Sequence, residues 1–193
     1  MQITIREPGS AITHFIAMMM AVFAAVPLLV KAGIQSGWEN FLAMAIFMGS
    51  MILLYGASAT YHSVDLTGRS LRIFRKLDHM MIFVLIAGSY TPICLLVLER
   101  RTGLIMLALV WGIAITGIII KGFWVFCPKW VSSVLYISMG WICVLAFSQI
   151  LNNLTRAEFG WLLAGGIIYT IGGVIYALKL PIFNSKHKNF GSH

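Results

Sequence analysis

A few histidine, serine and aspartate residues stand out in a chain that is otherwise almost entirely apolar. Ser58 and His62 are four residues apart, so they share one face of any helix that contains both. His14, Asp78 and His193 are distant from them in sequence. Imidazole nitrogens with a nearby carboxylate are what a catalytic zinc site needs, with one coordination position open to water. These residues make such a site only if the fold brings them together.

The composition places the chain in a membrane. Of its 193 residues, 60% are apolar and 10% are charged, whereas a soluble domain has about 25% charged residues. This balance excludes a disordered chain, which would be polar and rich in charge. Three cysteines without a C-x-x-C spacing suggest neither a disulfide scaffold nor a thiolate zinc site. The net charge of +8 fits a membrane surface better than a nucleic acid, and we expect no nucleic-acid partner.

Six uncharged segments of 17 to 21 residues predict six transmembrane helices in a single integral membrane domain covering residues 1–193. At about 1.5 Å per residue, each is long enough for the hydrocarbon core of about 30 Å. A β-barrel would show shorter strands of alternating polarity. Pro27 and Pro92 are expected to kink or locally unwind their helices. The predicted spans are residues 11–30, 41–61, 80–98, 104–120, 131–151 and 161–178.

The distribution of lysine and arginine predicts a cytoplasmic N-terminus. With that orientation ten of these residues lie inside and four outside, as the positive-inside rule favours. The segment 65–78 supplies most of the difference and alternates basic with apolar residues, which also suits a short interfacial segment on anionic lipid. Topology-setting charges alone explain the same pattern, and that interpretation is preferred. We therefore expect a multi-pass cell-membrane protein whose partners are membrane lipids.

The same orientation places the polar residues at the cytoplasmic ends of the spans, although each has a simple structural explanation. His62 is equally compatible with an interfacial histidine at a helix C-terminus. Asp78 is compatible with the N-cap of the third helix. Ser58 could bond to the carbonyl four residues earlier in its own helix. His14 is as compatible with a position at the start of a helix as with a role as a metal ligand. His79 lies about 100° round the helix from Asp78, so we do not expect the two side chains to face one site.

Taken together, the motifs resemble the hemolysin III family, part of the superfamily of progestin and adiponectin receptors and alkaline ceramidases. The matching runs are SATYHS at 58–63, LDH at 77–79, IAGSYTP at 86–92, GGIIYT at 165–170 and FGSH at 190–193. The resemblance covers essentially the whole chain. It implies a seven-helix fold with the N-terminus inside and the C-terminus outside.

The resemblance also implies a zinc site. Family members are similar in holding Zn²⁺ with one histidine of helix 2 and two of helix 7, spaced H-x-x-x-H. His62 then corresponds to the helix 2 ligand and His193 to the first helix 7 ligand. Ser58 and Asp78 match the catalytic serine and aspartate beside the metal. Because the sequence ends at His193, we expect a truncated form without the second histidine and the seventh helix, holding zinc weakly or not at all.

For the complete protein the resemblance implies zinc-assisted hydrolysis of a lipid amide or ester bond. An alternative is a non-enzymatic sensor or receptor of membrane homeostasis in which zinc is structural. A pore is the least favoured function, because the six spans contain no charged residue to line a channel. Substrate and oligomeric state are not determined by the sequence.

Overall fold

The computed structural model describes residues 5–64, 68–123 and 129–178, and these segments are helical with no β-strand. Within them, six helices are long and apolar enough to cross a membrane. The prediction of an all-α bundle with six spans is therefore confirmed. The helices are α1 (Pro8–Ile34), α2 (Gly37–Ser63), α3 (Gly68–Val97), α4 (Arg100–Phe123), α5 (Val131–Asn153) and α6 (Arg156–Leu178).

The first two helices form an antiparallel hairpin that turns at Gly37. This residue has a φ of 82°, in the left-handed region that glycine adopts without the steric cost of a Cβ. Pro8 stands in the first turn of α1, where its missing N–H removes no hydrogen bond. The backbone N–H of Glu7 donates to the carbonyl oxygen of His62 at 3.1 Å. The start of α1 and the end of α2 are therefore joined at the end of the bundle opposite the turn.

The main core lies between α3, α4 and α5. The side chains of Phe83 in α3 and Met139 in α5 are fully buried in it. Two glycines allow the neighbouring helices to approach closely. Gly117 of α4 lies against the Phe83 ring, and Gly88 of α3 lies against Ser50 of α2. These contacts hold α3 in place between the α1–α2 hairpin and the rest of the bundle.

The helix containing Pro92 departs from regular α-helical geometry. After Pro92, residues Ile93–Val97 form a π-helical turn, which is the local unwinding expected there. The backbone N–H of Leu98 donates to the carbonyl oxygen of Ile93 at 3.1 Å and closes this turn. In contrast, α1 continues through Pro27 with helical backbone angles. A proline therefore unwinds its helix in only one of these two spans.

A buried tyrosine just before the π-helical turn connects α3 to α5. Its partners in α5 lie at a 3₁₀ turn, Ile142–Ala146. The Tyr90 hydroxyl donates to the carbonyl oxygen of Gly140 at 2.7 Å and accepts from the backbone N–H of Cys143 at 2.9 Å. It thereby provides partners for backbone groups at depths where lipid offers none.

The outer surface of the bundle is apolar, and α6 is its least buried helix. None of the α6 residues with described side chains is buried. The helix packs on α5, where the Tyr169 hydroxyl donates to the carbonyl oxygen of Tyr136 at 2.6 Å. Large apolar side chains point outward from this helix and from others: Trp161 of α6 is 80% exposed and Phe23 of α1 is 71% exposed. Such a surface is suited to contact with hydrocarbon.

Replacing Gly88 by alanine should destabilise the bundle. A Cβ at this position would overlap Ser50 and come within 3.4 Å of the carbonyl oxygen of Ile46, so α2 and α3 would have to separate. We expect a loss of about 1–3 kcal/mol in the free energy of unfolding, the usual effect of overpacking. Unfolding in detergent, followed by tryptophan fluorescence, measures it.

The matched control is Gly112→Ala, because no atom lies within 4 Å of a Cβ at that position in α4. Alanine has the higher helix propensity, so this variant should be neutral or slightly stabilised. Equal losses in the two variants would contradict the close α2–α3 contact.

Candidate functional site

Three helix termini meet at the end of the bundle opposite Gly37. The start of α1 is joined to the end of α2 by the hydrogen bond from Glu7 to His62. The first turns of α3 are joined to the end of α2 through Arg75, whose Nε donates to the Tyr61 hydroxyl at 3.2 Å. Polar side chains from all three helices are therefore directed into one region.

The centre of this region is a hydrogen bond between α1 and α2. His14 Nδ1 lies 2.7 Å from the Oγ of Ser58, which is buried. Ser58 therefore bonds to a side chain of another helix, and this contact replaces the bond to its own helix that the sequence left open. The His14 ring also packs edge-on against the His62 ring, with 5.6 Å between centroids. The structure thus brings His14, Ser58 and His62 together.

The imidazole of His62 faces a carboxylate from the segment before α1. Its Nδ1 lies 2.9 Å from Glu7 Oε2. This nitrogen is buried and has no hydrogen bond of good geometry, so the short distance to Glu7 is a close contact and not an aligned hydrogen bond. The interpretation of His62 as a simple interfacial histidine is therefore incomplete, because its ring is enclosed by polar groups of α1 and the preceding segment.

Asp78 approaches the same region from α3. The helix begins ten residues earlier, at Gly68, so the interpretation of Asp78 as its N-cap is wrong. Asp78 lies instead in the third turn, where it is half-buried. Its carboxylate acts electrostatically on the His14 imidazole. Asp78 therefore lies at the end of the bundle that holds the His14–Ser58 pair, three residues after the Arg75 that bonds to Tyr61.

His79, the next residue, bonds to its own helix. Its Nδ1 donates to the carbonyl oxygen of Arg75 in the preceding turn, at 2.6 Å. The backbone carbonyl oxygen of His79 accepts from the Tyr136 hydroxyl at 2.9 Å, which links α3 to α5. The His79 ring is therefore held against its own helix, and its backbone joins α3 to α5.

The residues that could hold a metal ion supply part of a zinc ligand set. Within residues 5–64, 68–123 and 129–178, no group of three or more histidine, cysteine, aspartate or glutamate side chains is arranged to hold a metal. The buried His62 nitrogen, which lacks a well-aligned hydrogen bond, fits a metal donor in chemical type. The other predicted ligand, His193, lies outside the described residues. The described side chains therefore include a donor of the type that zinc binds, but they are too few to complete a four-coordinate zinc site.

Comparison with known proteins identifies the family. The family described as Haemolysin-III related matches residues 2–193. The chain belongs to the haemolysin-III family. Among its relatives is the Hemolysin-3 of Bacillus cereus, which is 36% identical over 178 residues, covering 92% of this chain and 81% of the relative. The Hemolysin-3 homolog of Bacillus subtilis is also 36% identical over 178 residues, covering 91% of this chain and 83% of the relative.

More distant relatives are named as receptors. The Adiponectin receptor protein of Drosophila melanogaster is 26% identical over 202 residues, covering 91% of this haemolysin-III chain and 42% of the relative. The superfamily relationship that the motifs suggested is therefore confirmed.

The residue that sequence reasoning undervalued is His14. In isolation it was compatible with the start of a helix, and no sequence motif linked it to Ser58. A turn at Gly37 would have provided the link, because His14 lies 23 residues before that glycine and Ser58 lies 21 residues after it. In an antiparallel hairpin, positions nearly equidistant from the turn face each other. Since glycine is common in transmembrane helices, its presence alone did not locate the turn.

A double-mutant cycle tests the His14–Ser58 contact. His14→Phe and Ser58→Ala should each lower the free energy of unfolding, and their effects should not add. We expect a coupling energy of about 0.5–3 kcal/mol, as found for residues in direct contact. Reversible unfolding in mixed detergent micelles measures it.

The control cycle pairs His14→Phe with Ser89→Ala. The Ser89 hydroxyl donates to the carbonyl oxygen of Ile86 within α3, so these two effects should add. Additive effects in the His14–Ser58 cycle would show that this pair is not coupled.

Proposed function

We propose that this haemolysin-III protein hydrolyses an amide or ester bond of a membrane lipid in a zinc-dependent reaction. The observation that carries the proposal is the convergence of Ser58, His62 and Asp78, from two helices, around the His14 imidazole. Groups able to bind a metal, move a proton and donate a hydrogen bond are thereby held together at one end of a membrane bundle.

The depth of the site suits a lipid substrate. Helices α1 and α2 are each 27 residues long, about 40 Å at 1.5 Å per residue. They therefore extend beyond the hydrocarbon core of about 30 Å into the interfacial layer. His14 and Ser58 lie within the first two turns of α1 and the last two turns of α2. This is the boundary between acyl chains and headgroups, where the carbonyl groups of membrane lipids lie.

Zinc would be held by His62 together with ligands outside the described residues, His193 among them. When bound, zinc supplies a Lewis acid that polarises a lipid carbonyl and acidifies water. The remaining chemistry belongs to side chains of the bundle.

Asp78 is the proposed general base and acid. A carboxylate in this position can accept a proton from the attacking water and later return it to the leaving amine or alcohol. Its location in the third turn of α3 supports this role, because the carboxylate is half-buried and lies close enough to act on the site electrostatically. A carboxylate used as an N-cap would instead be engaged by backbone N–H groups.

Ser58 is the proposed donor to the oxyanion that develops on the substrate carbonyl. The hydroxyl has one proton, so it can donate to substrate only if its bond with His14 does not use that proton. This requires His14 to carry its proton on Nδ1 and to donate it to Ser58 Oγ across the 2.7 Å contact. His14 is therefore a positioning residue, which aims the Ser58 proton at the substrate.

The alternative function is a receptor or sensor in which zinc is structural. The Drosophila relative named as an Adiponectin receptor protein favours it. Such a protein would need the histidine ligands but would have no need of a proton carrier. The two functions therefore differ in what loss of Asp78 would do.

The variants His62→Ala and Asp78→Asn should separate metal binding from chemistry. In the full-length protein, with the second histidine of H-x-x-x-H present, we expect His62→Ala to lose bound zinc, measured by elemental mass spectrometry, and with it hydrolysis of fluorescent ceramide or ester lipids. Asp78→Asn should keep zinc and lose about 100-fold or more in turnover, the usual contribution of a general base.

His79→Gln is the matched control, since its ring bonds to the α3 backbone outside the site; zinc content and turnover should stay near those of the parent. Unchanged zinc content in His62→Ala would contradict the metal assignment. A zinc-loaded parent protein with no turnover would exclude the hydrolase and support the receptor.

The orientation that we propose places the N-terminus and the site on the cytoplasmic side, from the excess of lysine and arginine at that end. In a variant whose native cysteines are replaced by serine, Glu39→Cys reports on the end that holds the α1–α2 turn and Arg69→Cys on the site end. A membrane-impermeant maleimide added to intact cells should label Glu39→Cys and leave Arg69→Cys unlabelled. The reverse pattern would invert the topology.

A further inference from the structure

The turn of α3 that carries Asp78 is bonded to the neighbouring helices at several points. The Nε of Arg75 donates to the Tyr61 hydroxyl of α2 at 3.2 Å. The Nζ of Lys76 donates to the carbonyl oxygen of Gly122, in the last turn of α4, at 2.5 Å. Both bonds are made by residues on the N-terminal side of Asp78, within three positions of it. They hold that side of the turn against α2 and α4.

The other side of the turn is held by Tyr136 of α5. Its hydroxyl donates to the backbone carbonyl oxygen of His79, the residue after Asp78, at 2.9 Å. A carbonyl oxygen has two lone pairs, so it can accept this bond in addition to one within the helix. The Tyr136 ring also packs on the ring of Phe83, one turn further along α3, with 4.6 Å between centroids. Tyr136 therefore contacts α3 at two successive turns.

Asp78 needs such support because it lies near an exposed helix end. The helix begins at Gly68, and Arg69, Arg72 and Ile73 of its first two turns are exposed. Helix ends open more readily than helix interiors. A general base works only within about 2.6–3.2 Å of the proton that it accepts, and a misplacement of about 1 Å costs about 100-fold in rate. A hydrogen bond to the backbone beside Asp78 therefore bears on the rate without touching the substrate.

We propose that Tyr136 is a positioning residue for Asp78, and that its hydroxyl sets the place of the carboxylate through the His79 carbonyl. The inference rests on the proposed hydrolase function, in which Asp78 is the general base and acid. It adds a residue of α5 to a site otherwise built from α1, α2 and α3.

Tyr90 provides a matched comparison within the same protein. Its hydroxyl also joins α3 to α5, by donating to the carbonyl oxygen of Gly140 at 2.7 Å. Tyr90 and Tyr136 are each 6% exposed. Tyr90 lies twelve residues beyond Asp78, about 18 Å along the helix. The two tyrosines therefore differ mainly in their distance from Asp78.

The variants Tyr136→Phe and Tyr90→Phe separate positioning from packing. Each removes one hydroxyl and keeps the ring, so both should lower the free energy of unfolding. In the full-length protein, only Tyr136→Phe should lower kcat for a fluorescent lipid substrate, by about 10- to 100-fold, with KM and zinc content unchanged. Equal changes in kcat in the two variants would overturn the inference, because a general loss of stability would then explain them. A rise in KM with kcat unchanged would overturn it as well.

The reactivity of Asp78→Cys provides a measurement that does not need turnover. With the native cysteines replaced by serine, its rate of alkylation by N-ethylmaleimide reports on the position and exposure of the side chain at residue 78. Adding Tyr136→Phe should change this rate about fivefold, the change in population that one net hydrogen bond supports. Adding Tyr90→Phe should leave it unchanged.

The two measurements distinguish failure of the inference from failure of the proposed function. A parent protein without turnover would exclude the hydrolase, whereas a changed alkylation rate in the Tyr136→Phe background would still show that Tyr136 positions residue 78. An unchanged alkylation rate in that background would overturn the inference whatever the turnover.

Discussion

Lipid offers no hydrogen-bond partner to a peptide or a hydroxyl group, and the rest of this structure follows from that constraint. Within the described spans, several hydroxyl side chains bond to a carbonyl of their own helix, one turn back. Examples are Thr60 to Gly56, Thr91 to Ala87 and Thr170 to Gly166. These bonds use the hydroxyl proton, so the oxygen can only accept further hydrogen bonds. Thr91 and Thr170 do so, from the indole N–H groups of Trp111 and Trp141.

Ser58 departs from this pattern. It is buried, as Thr91 is, yet its hydrogen-bond partner is a histidine of another helix. A polar side chain in a membrane span that bonds between helices either joins the helices or serves a site. Here the same contact does both, because it closes the α1–α2 hairpin and holds a hydroxyl beside His62. The position of the functional groups and the packing of the first two helices are thus set by one hydrogen bond.

Glu7 connects the segment before α1 to the candidate site. One of its carboxylate oxygens faces Arg6 and the other lies 2.9 Å from His62 Nδ1. The same residue also donates its backbone N–H to the His62 carbonyl oxygen. The segment just before α1 is therefore part of the functional end of the molecule, although it lies outside the apolar windows on which span prediction rests.

The sequence by itself determined the fold class, the number of spans in the described chain and the family. Each of these depends on a property read along the chain: the length of uncharged segments sets the spans, and short motifs set the family. Three of the four predicted site residues, Ser58, His62 and Asp78, are in the described part; Ser58 and His62 both contact His14, and Asp78 lies at the same end of the bundle. Their roles and the N-terminal orientation remain proposals.

Only the tertiary structure decided which polar residues share a site. His14 faces Ser58 because Gly37 reverses the chain, and Asp78 lies in the third turn of its helix because α3 begins at Gly68. Neither fact is encoded in local propensity, since a glycine in a span and an aspartate before an apolar window are each compatible with several structures. Contacts between helices depend on the register and rotation of whole elements, and packing across the bundle fixes both.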